Sequence, residues 1–133
     1  MRKIFDISLT ISPTMPVWPG DPTIILERVS KIEEGGASNV SRFVTSVHTG
    51  THVDAPVHFL PGEKSVENLS LDVLLGPAQV VKIPTDVGLI TSDVLETCHF
   101  EEDIQRVIFK TRNSRYWDEK TPLFHKDFVA ISP

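Results

Sequence analysis

Apolar and polar residues alternate with a period near two over several short stretches of this chain, the signature of half-buried strands. Residues 4–11, Ile-Phe-Asp-Ile-Ser-Leu-Thr-Ile, are rich in β-branched and aromatic types and predict a first strand. Residues 12–22 then hold Pro13, Pro16, Pro19 and Pro22. Proline fixes φ and cannot donate to a ladder, so this stretch predicts a stiff loop. Alternation resumes over 23–33 and stops at Glu33-Glu34-Gly35-Gly36, a turn with hairpin potential. A third strand is predicted over 39–47 from Val40, Phe43, Val44 and Val47. Further on, Ser70 can cap a short helix that Gly76-Pro77 closes. Residues 78–83 and 105–110 predict two more strands, and Thr91 or Ser92 opens a second short helix without a full capping box. Strands alternating with short helices imply an α/β or α+β fold, β-rich, with a mixed sheet.

Composition narrows the class. At 133 residues there is room for one core, and an apolar content of 40% is that of an ordinary globular protein. A net charge of −5, with no run of Lys or Arg able to track phosphates, argues against nucleic acid as a partner. Asp6 interrupts the N-terminus before any apolar run develops, so neither a secretory signal nor a membrane span is expected. The single cysteine, Cys98, permits no intrachain disulfide, which fits a cytoplasmic location and the role of a small buried hydrophobe. The chain ends on Ser132-Pro133, an N-cap followed by proline at the first helical position. That pairing announces a helix beyond the last residue, so a domain over 1–133 with its C-terminal part missing is expected.

The chemistry concentrates in His48-Thr-Gly-Thr-His-Val-Asp-Ala-Pro-Val-His58, which holds three of the five histidines. His48, His52, Asp54 and His58 all occupy even positions, so an extended segment would present them on one face. Thr49, Gly50, Thr51 and Pro56 make a poor helix, and the expectation is a strand end that turns irregular near Pro56. Three imidazoles beside a carboxylate repel when protonated and are costly to desolvate, whereas a metal requires neutral imidazole and ionised carboxylate. The donor set suits zinc, manganese or iron. Such an ion lowers the pKa of a bound water from about 15.7 to about 7 in the best-tuned zinc sites, giving a hydroxide able to attack a carbonyl. The bend expected at Pro56 makes His58 a better proton carrier than fourth ligand. Taken alone, His99 and His125 read as structural or solvated. Trp18, held between Pro16 and Pro19, either plugs a local core or walls a ligand pocket.

The 48–58 segment with Phe59 closely resembles the signature of the metal-dependent cyclase superfamily, which includes bacterial kynurenine formamidases and isatin hydrolases. Asp6-Ile-Ser-Leu9, Pro16-Val-Trp-Pro-Gly-Asp21, Leu74-Leu-Gly-Pro-Ala78 and Phe124-His-Lys-Asp-Phe-Val-Ala-Ile-Ser-Pro133 extend the resemblance over essentially the whole chain. The resemblance implies a swivelling β/β/α domain assembled as dimers or tetramers. It implies His48, His52 and Asp54 as metal ligands, His58 as catalytic acid/base and Trp18 as a substrate-lining aromatic. The implied cofactor is one or two divalent ions, zinc first and manganese second. The implied reaction is hydrolysis of a small amide, foremost N-formyl-L-kynurenine to L-kynurenine and formate. Ring-opening of a cyclic amide such as isatin uses the same parts. Family members continue past the Ser-Pro equivalent to a further histidine and glutamate that complete the metal site. The other expectation is therefore a non-catalytic fragment with an incomplete site.

Overall fold

The computed structural model of the chain describes residues 3–118 and 123–133. Strands β1 (Ile25–Ser30) and β2 (Val40–Val44) form an antiparallel hairpin whose register slips between Arg28 and Ser30. A 3-10 turn over Ile32–Glu34 and a left-handed Gly35 close it, as the Glu-Glu-Gly-Gly run predicts. Helix α1 (Leu71–Leu74) starts where Ser70 Oγ accepts from the Asp72 N–H. Strand β3 (Gln79–Lys82), the two-residue β4 (Leu89–Ile90) and helix α2 (Ser92–Glu96) follow, with Thr91 Oγ1 capping α2 through the Val94 N–H. After β5 (Val107–Lys110), residues Arg112–Asp118 wind as a 3-10 helix, and β6 (Ala130–Ile131) comes last.

β3 pairs with β5 and β4 with β6, both in parallel. The fold is thus mixed α/β with short helices, its strands arranged among the described residues as three two-stranded sheets rather than one mixed sheet. Val81, Ile83, Ile90 and Val129 are the buried centre. Val94, Leu95 and Cys98 share one face of α2 and its exit, and pack against that centre with Val107 and Phe109. The Cys98 side chain is half-buried against this centre, and its thiol donates to the Val94 carbonyl, 3.3 Å away.

Two expectations fail here. Residues 3–11 form no ladder among the described residues, and Ile4, Phe5 and Ile7 are exposed. β-branched side chains favour a strand only where a neighbour and a packing surface complete it, and the described residues offer neither. Polar contacts pin the segment instead. The Leu9 N–H donates to Thr51 Oγ1, and the Ser8 N–H donates to Asp6, which holds that carboxyl below the usual aspartate range. The second failure concerns β2, which stops at Val44, so the histidine stretch is not the end of a strand.

Candidate metal centre

Beyond Val44 the chain runs through bends over 47–51, and Pro56 opens a 3-10 turn, Pro56–His58. Hydroxyls organise the bends in place of a ladder. Thr45 Oγ1 and Thr49 Oγ1 lie 2.6 Å apart with Thr49 buried, and Ser46 Oγ accepts from the His48 N–H. Gly50 sits at φ +64°, and a Cβ there would meet Met15 Sδ at 3.5 Å and Ile11 Cγ1 at 3.6 Å. This left-handed residue turns the chain so that His48 and His52, on either side of it, converge on one carboxylate.

That carboxylate is Asp54. Its Oδ1 lies 2.8 Å from His48 Nδ1 and 3.4 Å from His52 Nε2. The His58 ring rests 3.9 Å from the His48 ring, tilted by 30°. Donor atoms of His48, Asp54 and His58 all lie within 4.8 Å of one another. His52 Nδ1 is 2.9 Å from the Gly50 carbonyl. A carbonyl oxygen only accepts, so Nδ1 carries a hydrogen there and Nε2 is the ring nitrogen that faces Asp54.

All four residues singled out in the sequence therefore meet, although a bent loop and not strand parity brings them together. Sequence reasoning grouped His52 with His48 and Asp54 and set His58 apart; here His58 lies as near the Asp54 carboxylate group as a three-donor set with His48 requires, and His52 Nε2 also faces Asp54.

The cluster lines one side of a cavity of about 1040 Å³. Trp18 lines it too, 55% exposed, with its ring edge-on to Phe124 at 5.2 Å and to Phe128 at 6.1 Å. Its two sequence readings thus combine: the indole packs on other rings and still opens to the pocket. His99 is elsewhere, its carbonyl accepting from Gln79 Nε2. His125 faces the cavity, stacked on Tyr116 with centroids 3.9 Å apart. Sequence reasoning missed this wall. The available signal was five ring-bearing residues, Tyr116, Trp117, Phe124, His125 and Phe128, within thirteen positions.

The family model "Putative cyclase" matches residues 5–132. The chain belongs to the cyclase family. Among curated relatives of this cyclase chain, Cyclase-like protein 1 of Arabidopsis thaliana is 37% identical, over 95% of this chain and 50% of that protein. A kynurenine formamidase of Erythrobacter litoralis (strain HTCC2594) is 38% identical, over 98% of this chain and 57% of that enzyme. This cyclase chain thus spans about half the length of the curated relatives it matches. Among solved structures, a potential metal-dependent hydrolase with cyclase activity superposes with a TM-score of 0.73 at 32% identity, covering 98% of this chain and 58% of that one. A predicted metal-dependent hydrolase from Bacillus stearothermophilus gives 0.70, also at 32% identity, covering 98% and 60%.

Proposed function

We propose that this chain is the metal-binding part of a hydrolase for a small aryl amide, with N-formyl-L-kynurenine as substrate and L-kynurenine and formate as products. The observation that carries the reading is the convergence of His48, His52 and His58 on Asp54 in one cavity with Trp18. The kynurenine formamidase among the relatives supports the choice of amide.

The donor set fits a divalent cation, because imidazole nitrogens of His48 and His52 and a carboxylate oxygen of Asp54 lie close together in one cavity. His48, His52 and Asp54 would hold it, zinc before manganese, as one ion or two. Once bound, the ion supplies an acidic water and a positive charge for the carbonyl oxygen. The chain's own groups do the rest. Water adds across the formyl C–N bond, the carbon keeps the oxygen, and His58 carries a proton to the departing aryl amine. Phe59, 4.2 Å from the His58 ring, screens that imidazole on one side. Trp18 rests against the aryl ring and excludes water from it.

The experiment is metal content per chain by elemental analysis, followed by an absorbance assay with N-formylkynurenine. Bound zinc with turnover is the expected result, and isatin in the same assay separates an open-chain from a cyclic amide. A second reading is favoured by exposed apolar side chains that flank the site, Val47 at 83% and Phe59 at 75%. On that reading the chain associates through this surface, holds metal weakly and turns nothing over. No metal and no turnover in this chain would sink the enzyme reading for it.

A further inference from the structure

The aromatic wall of the cavity that the histidines also line is held by an unusual set of bonds. Val129 is buried, yet its backbone N–H and C=O both face the side chain of Asn113. Asn113 Oδ1 accepts from the Val129 N–H at 2.7 Å, and Nδ2 donates to the Val129 carbonyl at 2.9 Å. The side-chain amide thus pairs with this backbone as a neighbouring strand would, just before β6 begins. Arg112 adds a second tie. Its guanidinium donates to the Asp127 carbonyl at 3.0 Å and, on the other side, to the carbonyls of Val87 at 2.8 Å and Thr85 at 3.3 Å. Tyr116 supplies a third, its hydroxyl donating to Asp127 Oδ2 at 3.1 Å while its ring lies flat on His125.

All three ties leave from one 3-10 helix, Arg112–Asp118, and all reach the segment that carries Phe124, His125 and Phe128. Phe124 and Phe128 are the rings against which Trp18 stands. We propose that Arg112, Asn113 and Tyr116, the last two themselves at the cavity lining, are positioning residues for aryl recognition: they fix the Phe124–Phe128 segment, and through it set the angle of Trp18 in the pocket. The bonds of Asn113 and Arg112 run to main chain, so they hold position without drawing on side-chain chemistry of the wall. The proposal rests on the aryl-amide reading for its ligand class, but its test is a binding measurement and needs no turnover.

Formanilide is titrated into the zinc-loaded chain, with binding read from quenching of tryptophan fluorescence. Asn113→Leu keeps the side-chain size and removes both bonds to Val129; it should raise the formanilide Kd about tenfold while zinc affinity stays within about twofold. Tyr116→Phe keeps the stack on His125 and removes only the bond to Asp127. It should move the Kd the same way by about threefold, and it stands as the test if Asn113→Leu does not fold. A Kd unmoved by both substitutions would overturn the proposal. So would zinc and formanilide affinity falling together, which would reveal general loosening, or failure of the unsubstituted chain to bind formanilide. Formanilide that is bound but not hydrolysed would count against the hydrolase reading alone, and a Kd raised by the substitutions would still support positioning.

Discussion

Asp54 is the residue on which the candidate centre turns. One oxygen, Oδ1, faces both His48 and His52. Asp54→Asn removes the negative charge at nearly unchanged volume. Zinc affinity, measured by calorimetry, should fall by at least about a hundredfold, since even outer partners of metal ligands are worth ten to a hundred. His58 is the residue whose role the geometry makes most open to experiment, because its ring lies on His48 and its donor atom lies within reach of Asp54. As proton carrier it predicts that His58→Ala keeps zinc bound but lowers kcat by about a hundredfold or more. Loss of zinc in that variant would make His58 a ligand. The identities of all four residues were legible in the sequence, because imidazole and carboxylate so closely spaced have few other uses. The hydrogen bond from His52 Nδ1 to the Gly50 carbonyl was not legible, since it depends on how a loop bends.

At the scale of elements, the loop between Val44 and Pro56 matters more than any strand. Gly50 is its pivot, at a φ that L side chains reach only with strain. Gly50→Ala should destabilise the fold by about 1 kcal/mol in urea titrations and weaken zinc binding in parallel. An alanine variant of unchanged stability and unchanged zinc affinity would remove Gly50 from the account. The hairpin and both capped helices were readable from turn residues and caps, because those signals act over a few residues. β4 and β6 were not readable. Each is two residues long, and each exists only because the other lies alongside. The 3-10 helix over Arg112–Asp118 also left no periodic trace, and its Asn113 and Arg112 find their uses through contacts 15 to 27 residues away.

Across the whole molecule, the four residues of the candidate metal cluster come from one loop, while the wall of the pocket comes from residues 16–21, 113–117 and 123–130. A cation held by the cluster would bind the folded chain in preference to the unfolded one and so should stabilise it. At a free zinc concentration a hundredfold above Kd the gain is about 2.7 kcal/mol. The melting temperature should therefore rise on addition of zinc and return when EDTA is added, while Asp54→Asn shows no rise. Acid should erase the effect, because protons compete with the ion for imidazole nitrogens. A zinc-induced shift that stayed constant from about pH 8 to pH 5 would contradict ligation by histidine.

The sequence by itself determined which side chains could carry the chemistry, where the chain turns, and which family the chain resembles. Those properties are local: the donor chemistry of histidine and aspartate, the fixed φ of proline, the hydroxyl of a capping serine. Tertiary structure alone decided that residues 3–11 lack a ladder, that a glycine bend and not strand parity gathers the histidines, and that Trp18 meets Phe124 and Phe128 across more than a hundred residues. These outcomes depend on which distant surface arrives to satisfy a backbone group or cover a ring, and no short stretch of sequence contains its own partner.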